Sequence, residues 1–479
     1  MACTTILVGR LASNDNSTII ARNDDCPSGQ FNEKKLIIKE ANEMGETYTS
    51  KISKVMVKLP KESLKYTLFP SVDDKDGLWP AAGINSLNVG MTATETITSN
   101  PRVLGADPYV KLIKEGEKEI AGGIGEEDLV ALVLPYIKSA REGVLRLGKL
   151  LEEYGTYEPN GIAFSDSKEI WWLETIGGHH FIARRVPDDR YVVMPNQFGL
   201  DEFDLEDAMN QQKDNICSRD LAKFIKKFHL DLNQNGVFNP RLIFGSYSDS
   251  DHVYNTPRAW DIERNFNKLS FKWYGDDADY TPESDNIPWS LVPDHKLSVE
   301  DVKYALSLHF QGTEYDPYSK IADKKIYRTI GINRTSLLNM INIRNDVSDD
   351  KKAILWFSFG SNPFNQIVPF FTSGSFVPSY YKDTTLTVDS NNFYWANRLI
   401  CALADAHFNT CQIHIERYQN SLANEAHRLI NKVDFESLDI DKFNEEMANL
   451  AKKLTNDCLG KVLYTSSMNM KNAFSRSDN

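Results

Sequence analysis

Strand-like and helix-like segments of this chain come in blocks rather than in strict alternation. Short apolar runs typical of strands fill residues 1–100, and strand patterns return at 161–196 and at 335–359. Helical periodicity is predicted in the intervals and in the tail, at 107–154, 201–228, 256–261, 298–310 and 393–463. A doubly wound sheet would need repeated βαβ units. The block order instead predicts an α+β chain with two sheets covered by helices on their outer faces, a four-layer αββα sandwich.

The N-terminus carries two strand patterns, 1–9 and 18–25, around a turn at 12–17. In an antiparallel hairpin the end of the second strand lies beside the start of the first. Because the two strands are roughly equal in length, Arg22 and Asp25 are predicted to lie near Cys3. A deprotonated thiol is a good nucleophile. If Cys3 became the first residue, its α-amine, with a pKa of roughly 7.7–8.0, would serve as its base.

The alternative for Cys3 is a buried structural thiol, because free cysteine is among the most buried residue types. The following Arg-Asn-Asp-Asp sequence favours a site, since an arginine and two acids at a strand end are poor core material.

Composition excludes several classes of function. A net charge of −13 over 479 residues argues against nucleic acid as the main partner. No apolar run approaches the ~20 residues of a membrane helix, and no secretory signal pattern is present. The six cysteines have no CxxC pair and the nine histidines no HExxH motif, so neither a disulfide framework nor a metal site is predicted. We therefore expect a cytoplasmic protein that makes no membrane contact.

The only histidine cluster is His179-His180, and adjacent strand residues point to opposite faces. His179 is the candidate for a substrate contact; a satisfied or surface histidine is the more common alternative.

The chain is expected to divide at about residue 390. Residues 1–390 would form the catalytic domain and 391–479 a helical extension packed on the body or on a partner subunit. From the apolar stripe of that extension we expect a homo-oligomer.

Seven segments within the first 270 residues together resemble the N-terminal nucleophile (Ntn) hydrolases, and among them the cysteine dipeptidases of the PepD and secernin type. Bile salt hydrolases and penicillin V acylases are more distant. The segments are Cys3-Thr4-Thr5, Ala12-Ser13, Ala21-Arg22-Asn23-Asp24-Asp25, 82–96, 174–179, 194–198 and 254–258.

The resemblance implies a role for each matching residue. Cys3 matches the nucleophile, Arg22 the arginine beside the thiolate, and Asp25 the carboxylate that holds the α-amine. Asn196 matches the oxyanion-hole asparagine, and Arg258 a second arginine near the nucleophile, for which an ordinary ion pair is the alternative. The implied reaction passes through a thioester and needs no metal or organic cofactor.

Glu95 departs from the amidase relatives, which carry asparagine at the matching position. A carboxylate there would pair with the free ammonium of a dipeptide and reject acyl-blocked substrates. A structural carboxylate at a strand end is the alternative.

The expected function is hydrolysis of short peptides, with broad-specificity dipeptides as substrates. The alternatives are an amidase of the bile salt hydrolase or penicillin V acylase kind and a non-catalytic, secernin-like regulatory protein. Cys3 follows Met1-Ala2, so the mechanism requires cleavage before Cys3 or another base. Cys26, beside Asp25, is expected to be a bystander.

Overall fold

The computed structural model describes residues 3–27, 29–111, 113–115, 118–120, 122–233, 236–320, 326–436 and 438–470. The strands in this part of the chain are β1 Thr4–Val8, β2 Thr18–Asp25, β3 Ile37–Lys39, β4 Thr47–Thr49, β5 Met56–Lys58, β6 Tyr66–Leu68, β7 Ala82–Asn85, β8 Gly90–Thr92, β9 Glu95–Thr96, β10 Ile113–Glu115, β11 Lys118–Ile120, β12 Asn160–Ser165, β13 Ile170–Ile176, β14 His180–Arg185, β15 Tyr191–Met194, β16 Asn215–Cys217, β17 Ser290–Leu291, β18 Thr335–Ile343, β19 Ala353–Phe359 and β20 Val368–Phe371.

The α-helices lie between and after these strands. They are α1 Pro101–Ala106, α2 Glu126–Val133, α3 Ala140–Tyr154, α4 Leu205–Met209, α5 Leu221–Phe228, α6 Pro240–Phe244, α7 Asp251–Tyr254, α8 Thr256–Phe266, α9 Val299–Ala305, α10 Asp349–Lys352, α11 Ser379–Lys382, α12 Phe393–Ala404, α13 Phe408–Glu436 and α14 Ile440–Met468. No helix among the described residues combines the length and apolar character that crossing a membrane would require.

Two large antiparallel sheets organise the chain. The first has the order β17-β15-β1-β2-β18-β19-β20, and the second has the order β16-β14-β13-β12-β8-β7-β6-β3 with β9 also paired to β12. Strand β2 of the first sheet contacts β8 and β12 of the second. The prediction of an α+β chain is confirmed.

The N-terminal hairpin forms as predicted. Strands β1 and β2 pair antiparallel, with Thr4 opposite Asn23 and Thr5 opposite Arg22. Both strands are buried along their whole length, because β15 flanks β1 and β18 flanks β2. The residues that begin β1 and end β2 therefore lie in the middle of the first sheet.

Helices pack against both large sheets. Helix α3 contacts β12, β13 and β14 of the second sheet. Helices α12, α13 and α14 contact β19 and β20 of the first. Apolar residues of these C-terminal helices, Phe393, Phe443 and Val462 among them, belong to the same buried cluster as Ile6 of β1.

Two predicted helical segments contain strands. In 107–154 the helices begin only at Glu126, and the hairpin β10–β11 precedes them. In 201–228 the strand β16 separates α4 from α5 and pairs with the edge strand β14. Ile216 of β16 is buried, so tertiary pairing outweighs the helical period of the surrounding sequence.

Other boundaries also differ from the sequence prediction. The strand expected at 87–95 is divided into β8 and β9. The helix that begins at the Ser298 cap, with its capping box to Asp301, ends at Ala305 rather than near Phe310. Strand β20, which completes the first sheet, was not predicted.

Candidate active site

Cys3 immediately precedes β1, the strand that lies between β2 and β15. Cys3 lies one residue beyond the Thr4–Asn23 pair and two residues beyond the Thr5–Met194 pair, which brings it level with Asp24 on one side and Asn196 on the other. The Cys3 side chain is completely buried. Strand pairing alone thus brings two residues, Asp24 and Asn196, beside Cys3.

Arg22, which is fully buried, lies against the thiol. Its Nη2 atom donates to Cys3 Sγ at 2.9 Å and to Glu126 Oε1 at 3.0 Å, and it lies 3.2 Å from Asp24 Oδ1. Its Nη1 atom donates to the Ala93 carbonyl oxygen at 2.7 Å. The guanidinium is therefore held in one orientation by groups on three sides.

Glu126 is a site residue that the sequence prediction missed. It opens helix α2, and its Oε1 atom accepts from the backbone N–H of Thr94 at 3.3 Å as well as from Arg22. The run Glu126-Glu127-Asp128 indicated only an acidic first helical turn. The structure distinguishes this turn by its burial, because all three acids are inaccessible to solvent or nearly so.

The electrostatic environment of the thiol contains opposing charges. Burial raises the pKa of Cys3 well above its usual range, Arg22 lowers it, and the nearby carboxylates of Glu95, Asp24 and Glu126 raise it. In this arrangement the thiol holds its proton, and an additional base is needed for thiolate formation.

Asp25 ends β2 and is also fully buried. One carboxylate oxygen accepts from Arg328 Nη2 and the other from Thr335 Oγ1 at 2.5 Å. Burial raises the pKa of Asp25, and the charge of Arg328 works in the opposite direction. No local sequence pattern indicates a role for Arg328, which lies 303 residues further along the chain.

Arg258 lies in the first turn of α8, directly after Pro257, and is fully buried. Its Nη1 atom donates to the Cys3 carbonyl oxygen and, at 2.6 Å, to Thr4 Oγ1. Its Nη2 atom donates to Asn196 Oδ1 at 2.7 Å. Arg258 therefore joins the backbone of Cys3 to the side chain of Asn196.

Asn196 follows β15 and has a left-handed backbone conformation with φ of 70°. Asparagine tolerates this conformation better than most residues, and such conformations are concentrated at functional sites. Its Nδ2 atom donates to the Thr96 carbonyl oxygen at 2.9 Å. With Oδ1 bound to Arg258, the amide plane of Asn196 is oriented from both ends.

Glu95 begins β9, pairs with Gly161 of β12 and is fully buried. Its Oε2 atom accepts from Thr5 Oγ1 at 2.7 Å, whereas Oε1 has no hydrogen-bond partner among the described residues. Burial raises the pKa of Glu95 to about 7, against the lowering effects of Arg258 and the Thr5 hydroxyl.

His179 lies apart from this group in its described contacts. Its Nδ1 atom is 3.0 Å from Asp107 Oδ1, and His180 contacts the other oxygen of the same carboxylate at 2.7 Å. Its role as a substrate contact remains a prediction.

Cys26 Sγ lies 3.1 Å from Ser336 Oγ.

The assembled groups have the chemistry for acyl transfer. A thiol faces a guanidinium, an oriented amide lies on the neighbouring strand end, and a buried carboxylate has one oxygen without a partner in the described part of the chain. In the part of the chain that the structure describes, no three His, Cys, Asp or Glu side chains come together in a way that could hold a metal ion.

Comparison with known proteins gives consistent similarities. Residues 2–421 match the sequence family described as Peptidase family C69. The chain is 50% identical to a dipeptidase of Bifidobacterium longum and 47% identical to a probable dipeptidase A of Streptococcus pyogenes serotype M3, in both cases over all of each chain. It is 39% identical to dipeptidase A of Lactobacillus helveticus over 96% of each chain.

Proposed function

The chain belongs to peptidase family C69, and from that premise we propose that it is a dipeptidase whose nucleophile is Cys3. The observation that carries the assignment is the 2.9 Å contact between Cys3 Sγ and Arg22 Nη2 at the start of the central hairpin. The dipeptidase names of relatives that match along the whole chain support dipeptides as the substrates.

The proposed reaction begins after residues 1–2 are removed. The α-amine of Cys3 accepts the thiol proton, and the thiolate attacks the carbonyl carbon of the peptide bond. Asn196 Nδ2 stabilises the oxyanion. The ammonium returns the proton to the departing nitrogen as the C–N bond breaks, which releases the C-terminal amino acid. Water then hydrolyses the thioester and releases the N-terminal amino acid.

Each charged neighbour has a distinct part in this scheme. Arg22 stabilises the thiolate, and Asp25, held by Arg328 and Thr335, orients the α-amine. Arg258 holds the Cys3 carbonyl and Asn196 in fixed relation.

Glu95 is the proposed anchor for the substrate ammonium. Its Oε1 atom is buried without a partner in the described residues, and an unsatisfied buried carboxylate oxygen gains most from a cationic ligand. An acyl-blocked substrate lacks that cation, so this assignment favours dipeptides over the amide substrates of bile salt hydrolases and penicillin V acylases.

We further propose the four-layer sandwich of the Ntn hydrolases as the fold. Support comes from the contact of β2 with β8 and β12, and from the contacts of α3 with the second sheet and of the C-terminal helices with the first. In this scheme residues 1–390 form the catalytic domain, and 391–479 form an extension that packs on it and offers a surface for a second copy. The free state of all six cysteines supports a cytoplasmic location.

The test combines intact mass, N-terminal sequencing and dipeptide turnover before and after treatment with a thiol alkylator. A chain that begins at Cys3, hydrolyses Ala-Ala and is inactivated by labelling at Cys3 is the expected result. Cys3→Ala should abolish turnover, whereas the control Cys26→Ser should retain it. Hydrolysis of glycine-conjugated bile acid instead of dipeptides would favour the amidase, and an unprocessed chain without turnover would favour the regulatory protein.

A further inference from the structure

The segment that carries Asn196, residues 195–199, crosses from the first sheet to the second. It leaves β15 of the first sheet, and Asn196 Nδ2 bonds to Thr96 of β9 in the second. The second attachment to that sheet is at Gly199, whose backbone N–H donates to Glu174 Oε1 at 2.6 Å. We refer to residues 195–199 as the Asn196 loop.

Glu174 is a fully buried carboxylate that the proposed reaction does not use. It lies on β13, paired with Gly161 of β12, and Gly161 pairs on its other side with Glu95. Trp172 Nε1 also donates to Glu174 Oε1, at 3.0 Å. Burying a carboxyl group is costly unless hydrogen bonds compensate for lost water, so its contact with the loop needs an explanation beyond packing.

Arg241 holds the other side of the same glycine. Its Nη2 and Nε atoms donate to the Gly199 carbonyl oxygen at 2.6 and 3.1 Å, and its Nη1 atom donates to the Ile287 carbonyl oxygen at 2.6 Å. Both polar groups of Gly199 are thus bound by side chains from two different elements, Glu174 of β13 and Arg241 of α6.

Gly199 has no room for a side chain. A Cβ atom would lie 2.3 Å from Met194 Sδ and 2.8 Å from Trp289 Cδ1. The backbone can therefore approach Glu174 and Arg241 in this way only because residue 199 is glycine.

We propose that Glu174 and Arg241 form a clamp on Gly199 that fixes the Asn196 loop and so places the Asn196 amide for catalysis. Both are positioning residues, which act through Asn196 without touching the substrate. The inference rests on the proposed function for its catalytic consequence. The left-handed conformation of Asn196 requires such support from its surroundings, since it is not the backbone's preferred state.

The test uses a double-mutant cycle on dipeptide turnover. Glu174→Ala should lower kcat about tenfold with KM changed less than twofold, because small displacements of a transition-state donor reduce rate more than binding. Glu174→Gln keeps an acceptor oxygen for the Gly199 N–H and should restore most of kcat. In the Asn196→Ala background, Glu174→Ala should cause no further loss. An equal loss in that background, or no rescue by glutamine, would overturn the clamp.

A second measurement does not depend on turnover. Hydrogen exchange of the segment 195–199, followed by mass spectrometry, should be faster in Glu174→Ala and in Arg241→Gln and unchanged in Glu174→Gln. Arg241→Gln also serves if Glu174→Ala does not fold. If the wild type shows no dipeptide turnover, the proposed function fails, and hydrogen exchange alone then tests the clamp. Unchanged exchange of residues 195–199 in both Glu174→Ala and Arg241→Gln would refute it.

Discussion

The Nη2 atom of Arg22 lies 2.9 Å from the Sγ atom of Cys3, and neither side chain is exposed to solvent. The same nitrogen lies 3.0 Å from Glu126 Oε1, so the guanidinium is shared between the thiol and a carboxylate. In a buried site such charges act with little screening. The readiness of the thiol to ionise therefore depends on the balance between Arg22, which lowers the Cys3 pKa, and burial together with the nearby carboxylates, Glu126 among them, which raise it.

Glu126→Gln should lower the pKa of Cys3, because the carboxylate of Glu126 raises that pKa and the amide carries no charge. A shift of about one pH unit is expected. The measurement is the rate of Cys3 alkylation by iodoacetamide as a function of pH, followed on the Cys3 peptide by mass spectrometry.

The matched control for that variant is Glu127→Gln. Glu127 is the next residue and equally buried, but its carboxylate bonds to Ser50 and Tyr157. Its replacement should leave the alkylation profile unchanged. Arg22→Gln should move the profile to higher pH, and a shift of Arg22→Gln and Glu126→Gln in the same direction would contradict the balance described above.

Glu95→Gln should lower kcat/KM for free dipeptides about 10- to 100-fold, the usual cost of losing a buried charged hydrogen bond. N-acetylated dipeptides, which lack the ammonium, should lose much less. Because burial raises the pKa of Glu95 to about 7, the wild-type kcat/KM should increase as pH rises through 7 and the carboxylate forms. The variant should lack that increase, and equal losses for both substrates would eliminate the anchoring role.

Asp25→Asn should reduce the free energy of unfolding by about 3 kcal/mol, because it removes the carboxylate that faces the buried Arg328 guanidinium. Urea denaturation measures the effect. The double variant with Arg328→Gln should be less destabilised than the sum of the single variants, since removing both charges avoids a lone buried one. Thr335→Val removes only a hydroxyl and should cost about 1 kcal/mol. Strict additivity would show that the ion pair is not coupled.

Glu127→Gln should make stability less dependent on pH. Burial and Asp128 raise the pKa of folded Glu127 to about 8, compared with an ordinary value of 4.5. Between these values the folded state binds more protons than the unfolded state, so the free energy of unfolding falls as pH rises. The difference between wild type and variant should change by about 4 kcal/mol between pH 5 and pH 8.5 in urea denaturation. A constant difference would mean that Glu127 titrates normally.

The site elements closest in sequence were the most predictable. Cys3, Arg22 and Asp25 belong to one hairpin, whose antiparallel pairing places the end of β2 beside the start of β1. Asn196 and Arg258 were found only through the family resemblance, because nothing in the local sequence indicates that α8 reaches the start of β1.

Residues that complete the site from distant elements were missed. Arg328 and Glu126 contact the hairpin from 303 and 104 residues away, and in sequence each has the appearance of an ordinary surface charge. The strand β16 was missed for a related reason. Its three residues form a strand only because β14 offers an edge for pairing, which a local helical period cannot reveal.

The central place of β1 in its sheet has a consequence for how the polypeptide is made. Its partner β15 is synthesised about 190 residues later, and β18, which flanks β2, is later still. Until those segments leave the ribosome, the hairpin has two open edges, and the groups around the thiol are not assembled. The site is therefore assembled only after β18 has been synthesised, and a shorter nascent fragment that carries Cys3 lacks the groups around the thiol.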